Sequence, residues 1–212
     1  MIDILWGLAG ALAFWYLIAF AGQPPSRDKS LSKTGSVAAL AFLAFLSATP
    51  VLLVVALALS ALGDYALSRD GDRAFLGGMA AFFAGHVAYI ALFLGHGADL
   101  DILSDRLLAT GALVLATLGV LGWLWPGLGS FRLPVAGYVA AILVMGLAAL
   151  SLPMTGGAPL ILGGAMAFMA SDTILAAEKF RLAPGTPSAR AAPTLVWVLY
   201  WAAQALILSG FL

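Results

Sequence analysis

Three ionisable side chains stand clear of the ends of long apolar stretches in this sequence: Asp64, His86 and Asp172. A charged group at the centre of a membrane-spanning helix costs about 2.5–3.5 kcal/mol on insertion scales, so each needs a partner or a task. Two carboxyl groups brought together offer a definite chemistry, because a close pair holds one proton between its members. One member then acts as an acid while the other stabilises a cation or activates water, as in glycoside hydrolysis through oxocarbenium-like states. His86 is placed to orient one carboxyl group or the water.

Other polar residues fall near these three. Ser60, Asp64 and Ser68 share a helix face, as do Phe82, His86 and Tyr89, Phe168 and Asp172, and Tyr200 and Gln204. Asp64 lies five residues from Arg69 and Asp172 seven from Lys179, so both sit about 7–10 Å below a charged rim. Tyr138 and Tyr200 fall at a similar depth, and Gln204 is one of only two glutamines. Interhelical hydrogen bonding explains a lone intramembrane Asp. Two aspartates and a histidine in so small a bundle favour a functional polar cavity. Glu178 beside Lys179 is a snorkelling ion pair at a helix end, and Asp99, Asp101 and Asp105 belong to a solvated loop.

Rival chemistries have less support. A metal hydrolase uses two or three histidines per ion, whereas the chain has two in all, with His96 in a loop; no metal and no cofactor are expected. There is no Gly-x-Ser-x-Gly, and Ser30-Leu31-Ser32-Lys33 matches Ser-x-x-Lys only as a weak pattern. A small proton-coupled transporter is the alternative, since intramembrane acids also mark proton paths, and a lipid-binding protein is third. An enzyme requires a blind cavity, a carrier a path approaching both faces.

The elements that carry these residues follow from composition. Of 212 residues, 63% are hydrophobic and 9% charged, with ten Lys+Arg balancing ten Asp+Glu. A soluble domain averages about 45–50% apolar and about 25% charged residues, so this chain cannot cover a water-facing surface. A soluble globular protein, a disordered chain and a nucleic-acid binder are excluded. Cysteine is absent, which removes disulfides, thiolate metal sites and a Cys nucleophile. The expected architecture is all-α: one transmembrane domain over 1–212, a polytopic bundle of about eight helices.

Apolar runs place spans at 2–20, 34–48, 50–68, 74–95, 106–125, 133–152, 157–178 and 193–211, separated by charged or Pro/Gly turns. A single helix over 34–68 would be roughly 52 Å long, too long even when tilted, so a hinge at Pro50 is expected. Eight spans put Arg27, Lys29, Lys33, Arg69, Arg73, Arg132, Lys179, Arg181 and Arg190 on one side and Arg106 alone on the other. The positive-inside rule makes the first side cytoplasmic and leaves both termini outside, in a bacterial inner membrane. Ala19-Phe20-Ala21 has the form of a signal-peptidase site, but the preceding stretch has Asp3 and no basic residue, so an uncleaved first helix is expected. Gly63-Asp64-Tyr65-Ala66-Leu67 echoes Ser171-Asp172-Thr173-Ile174-Leu175 in spans three and seven. That echo suggests two four-helix halves in parallel pseudo-repeat, with a site between them.

In order and spacing, these landmarks resemble the lysoplasmalogenase (YhhN-like) family of multi-pass membrane proteins. The matching elements are Lys33, Leu62-Gly63-Asp64 with Leu67, Gly85-His86 with Tyr89, Tyr138, Gly164 with Phe168, Ser171-Asp172, and Tyr200-Trp201-Ala202-Ala203-Gln204. One departure is Thr34, where the family usually has Pro after the Lys. The resemblance implies hydrolysis of the vinyl-ether bond of a lysoplasmalogen to a fatty aldehyde and a glycerophospho-base. Its implied partners are a lysophospholipid substrate and membrane lipids, with no nucleic acid. Asp64, Asp172 and His86 are then the expected catalytic residues. Lys33, Tyr89, Tyr138, Ser171, Tyr200 and Gln204 are the expected substrate-binding ones, and Arg27, Lys29, Lys33, Lys179 and Arg181 offer a basic rim for phosphate.

Overall fold

The computed structural model describes residues 1–212. Eight long helices and one short helix follow in chain order: α1 (Ile2–Ala19), α2 (Arg27–Leu46), α3 (Val51–Leu67), α4 (Asp72–Gly95), α5 (Asp101–Asp105), α6 (Leu107–Leu124), α7 (Arg132–Leu150), α8 (Ala158–Phe180) and α9 (Pro187–Ser209). The eight long ones correspond to the eight expected spans, and the chain does turn at Pro50, between α2 and α3.

Three boundaries differ from expectation, each for a local reason. α2 begins at Arg27 rather than near residue 34, because the Ser26 hydroxyl accepts the Lys29 backbone N–H at 3.1 Å and starts the helix in the polar segment. α9 begins at Pro187 rather than near 193, where Thr186 caps the Ala189 N–H at 3.2 Å and Pro187 occupies the first turn. In the expected loop after α4, the Asp99 carboxylate accepts the Asp101 N–H at 3.0 Å and nucleates the single turn of α5. At α2 and α9 the start is set by a side-chain cap, whereas apolarity marks only the later part of the helix.

Six of the long helices are individually long and apolar enough to cross a membrane. α3 has 17 residues, and the first turns of α2 are polar; both pack inside the bundle against neighbours on either side. Large apolar side chains such as Phe14, Ile18, Leu108 and Leu115 are exposed on the outer helix faces. An aqueous surface would not tolerate that belt, whereas hydrocarbon solvates it. The chain is an integral multi-pass membrane protein.

The closest helix pairs are α3 with α4 and α8 with α9. Glycine makes both approaches: a Cβ on Gly78 would meet Leu67 at 2.7 Å, and one on Gly164 would meet the Ala203 carbonyl at 2.8 Å. α1 packs on α2 and α2 on α3; α6 packs on α7 and α7 on α8. The two groups of four meet where α4 lies along α7 and where α9 touches α2. Fourth span on sixth, and eighth on second, is the reciprocity that a parallel pseudo-repeat requires. The core between them is filled by Leu40, Leu43, Leu53, Leu57, Phe93, Met145 and Phe168.

The bundle has two unlike ends. The helix ends and turns at one of them hold the nine basic residues named above. At the other, Arg106 donates to the Leu150 carbonyl at 2.6 Å and the Leu152 carbonyl at 3.2 Å, capping the end of α7.

Candidate functional site

α3 and α8 each carry one aspartate into the bundle from the basic end, and each carboxylate collects a cation or an imidazole together with a phenol. Lys33 of α2 brings its ammonium to 3.0 Å from Asp64 Oδ1, while the Tyr200 hydroxyl of α9 donates to Asp64 Oδ2 at 2.7 Å. The Asp64 side chain is fully buried. Lys33 also lies 5.9 Å from the ring centre of Tyr16 and 5.8 Å from that of Trp197, so aromatic faces share in balancing its charge.

The second centre repeats this plan with different chemistry. The Tyr138 hydroxyl of α7 donates to Asp172 Oδ2 at 2.7 Å, and His86 Nε2 of α4 lies 3.1 Å from the same oxygen and 2.9 Å from the tyrosine hydroxyl. His86 Nδ1 faces the Met145 sulfur at 3.2 Å, and Phe168 packs edge-on against the imidazole, their ring centres 4.7 Å apart. The ring is thereby held in one orientation. Both protein bonds to Asp172 fall on Oδ2, leaving Oδ1 without a protein partner. In each centre one partner comes from the preceding helix of the same half and the other from the last helix of the opposite half.

A cavity of about 790 Å³ opens at the basic end, and both Asp64 and Asp172 line it. Lys33 and Tyr200 also line it, with Lys29, Lys179 and Arg190 and the carboxylates of Asp70 and Glu178; Lys179 pairs with Asp72 at 3.4 Å rather than with the expected Glu178. Phe82, Phe168 and Tyr200 stack edge-to-face at its inner end, with centre separations of 5.4–6.1 Å. Behind them Tyr89 and Phe93 are fully buried. A second cavity of about 240 Å³ lies among α4, α6, α7 and α8, almost wholly apolar, with Tyr138, Asp172, Thr117 and Thr173 its polar residues. Leu67, Phe75, Phe82, Asp172 and Leu175 line both spaces.

The model of the YhhN family matches residues 29–211, which takes in every residue of both centres except the Tyr16 face. The chain belongs to the YhhN family. It is 35% identical over 164 residues to proteins named lysoplasmalogenase in Mycobacterium bovis and Mycobacterium tuberculosis. Those alignments cover 75% of this chain and 59% of each relative, so the chain spans about three-fifths of the length of the curated relatives it matches. No solved structure matches it.

Within this YhhN-family chain the expected site residues divide by position. Asp64, Asp172, Lys33 and Tyr200 line the basic cavity, and Tyr138 borders the apolar one. His86 sits behind Asp172. Ser171 lines the basic cavity but donates to the Val196 carbonyl at 3.0 Å, fastening α8 to α9. Tyr89 and Gln204 line neither cavity; they hydrogen-bond each other in the buried interior. Ser60 and Ser68, on the same helix face as Asp64, bond backbone carbonyls of their own helix instead, and Ser68 also bonds Ser30. Of the basic rim, Lys29 reaches the cavity, while Arg181 lies over the Trp123 ring with 5.3 Å to its centre. Sequence reasoning missed Tyr16, Trp197 and Met145, which look like ordinary apolar residues of a span. It also missed the Lys33–Asp64 pair, whose only signal is a lysine one helix away from an aspartate of similar depth.

Proposed function

We propose that this protein is a hydrolase that cleaves the vinyl-ether bond of a lysoplasmalogen, working from the cytoplasmic leaflet of a bacterial inner membrane. The supporting observation is that two aspartates from separate halves line one lipid-depth cavity, each with its own tyrosine and its own basic partner. The relatives named lysoplasmalogenase supply the substrate class, and the nine-to-one division of basic residues supplies the orientation. A cavity floored by stacked aromatics favours a hydrolase over a carrier, which needs access from both faces.

The unlike partners assign unlike roles. Lys33 favours Asp64 as the anion, because its ammonium 3.0 Å away stabilises the charged carboxylate. Asp172 has no lysine or arginine beside it, so the acid role falls to it, with its unpartnered Oδ1 delivering the proton to substrate. Transfer to the β-carbon of the vinyl ether converts the C=C–O unit to an oxocarbenium ion, whose positive charge is set against Asp64. Water adds to the α-carbon and gives a proton to Asp64, forming a hemiacetal. Asp172, now a carboxylate, takes the hemiacetal hydroxyl proton as the C–O bond to glycerol breaks, and Asp64 returns its proton to the departing oxygen. One water is consumed, an aldehyde and a glycerophospho-base leave, and both aspartates are restored. Lys29, Lys179 and Arg190 in the basic cavity bind the phosphate.

The test is aldehyde release by purified protein supplied with a lysoplasmalogen or its saturated-ether analogue. Aldehyde is expected from the first alone. Asp172→Asn should lower turnover by about 10²–10⁴-fold, the usual contribution of a general acid, and Asp64→Asn by a comparable factor per folded molecule. Wild-type protein that releases no aldehyde, or full activity in either variant, overturns the reading.

A further inference from the structure

We propose that the apolar cavity among α4, α6, α7 and α8 is the binding site for the hydrocarbon chain of the substrate lipid, and that its inner end sets the chain length accepted. This rests on the vinyl-ether reading for the identity of the lipid, while the site itself stands on its own geometry. Eighteen of the twenty-one residues lining the cavity are hydrophobic, the ring of Tyr138 counted among them, and its volume of about 240 Å³ exceeds the roughly 150 Å³ that suffices for an apolar cavity to take up benzene. Its position commits it to one occupant. The cavity adjoins the basic one through Leu67, Phe75, Phe82, Asp172 and Leu175, so a molecule filling both has a polar head, its phosphate among Lys29, Lys179 and Arg190 and any amine facing Asp70 and Glu178, and an apolar tail beyond Asp172. A single-chain phospholipid has that shape, and the bond joining its chain to glycerol then lies at the junction, beside the free oxygen of Asp172.

α6 makes the space available. It packs along α7 and touches α8, yet only Thr117 and Leu124 of its residues are buried. Leu113, Ala116 and Val120 form its inner face on the cavity, at helical spacing. On α8 the lining runs from Phe180 to Met166, about 21 Å of helix. Met166 lies six residues beyond Asp172, so the tail has about 9 Å of covered depth past the carboxylate. Because the chain enters from bilayer hydrocarbon, its length selectivity comes from how well it packs in this space and from the wall at the inner end.

The first test uses a saturated-ether lysophospholipid with a photoactivatable diazirine at the chain end, on full-length protein in nanodiscs, so that binding is read without catalysis. Crosslinks to Leu113, Ile142 or Met166 are expected. Crosslinks confined to the lipid-facing Leu115 and Leu118, or none, overturn the proposal. The second test compares lysoplasmalogens of increasing chain length on wild type and Ala116→Trp. The indole should cut kcat/KM for the longest chain by about tenfold or more through overpacking while sparing the shortest, and Ala170→Trp, from the facing helix, should do the same. An unchanged length profile in both variants overturns the proposal. Cavity crosslinks in a protein that releases no aldehyde would refute the hydrolase reading and leave the chain site standing.

Discussion

At the scale of single residues, the two carboxylates are a matched pair in position and an unmatched pair in chemistry. Asp64 is tied to a lysine and Asp172 to a histidine, and each also accepts a tyrosine hydroxyl. The lysine is the costly member, since removing one partner of a buried ion pair leaves the other charge uncompensated. Lys33→Met should lower stability by about 3 kcal/mol or more, read as a fall in unfolding temperature in detergent. Adding Asp64→Asn to that variant should recover much of the loss without restoring aldehyde release. If the double variant is no more stable than the single one, the two groups do not act as a pair. The same cycle separates an effect on folding from an effect on the proposed chemistry at Asp64, which a single substitution would mix.

The elements hold these side chains in register through close backbone contact, and glycine decides where contact occurs. Of the adjacent glycines 163 and 164, a Cβ on the first would have nothing within 4 Å, while one on the second would meet the Ala203 carbonyl at 2.8 Å. Gly164→Ala should therefore force α8 from α9 and destabilise by about 1–3 kcal/mol. Gly163→Ala should be neutral or stabilise by up to about 1 kcal/mol through the helix preference of alanine. Thermal unfolding of the two variants side by side checks this, and equal effects would show that α8 and α9 are not held by this contact. Separation of α8 from α9 would also break the Ser171 bond to Val196 and shift Tyr200 relative to Asp172. Loss of activity in Gly164→Ala would thus follow from position, with the chemistry untouched.

For the whole molecule, the reciprocal packing of α4 on α7 and α9 on α2 builds two related centres that share one opening. Each half contributes to both, so neither half forms a complete site alone. The nine-to-one division of basic residues predicts that the opening faces the cytoplasm. With no native cysteine, single cysteines report sidedness cleanly: one at Ser188, in the first turn of α9, should react only with reagent that reaches the cytoplasm. One at Thr155, between α7 and α8, should react with an impermeant reagent applied outside. The reverse pattern would put the basic end outside and move the site to the other leaflet.

Much of this molecule is legible in the linear chain. Apolar runs of the right length and turns at Pro50 and around Arg69–Arg73 determine eight long helices, and the expense of an intramembrane charge singles out Asp64, His86 and Asp172 as candidates. These are local properties, set by hydration and by the 1.5 Å rise of a helix. Only the tertiary structure decided which polar groups meet. Tyr89, Gln204, Ser60 and Ser68 share the depth or the face of the site residues, yet they satisfy one another or the backbone. Lys33, which looked like part of a rim, reaches Asp64 because a serine cap starts α2 earlier than its apolarity suggests. Rotation of each helix about its axis is fixed by packing against its neighbours. A composition that is apolar on every side gives no stripe from which to read that angle, and partner choice depends on the angle.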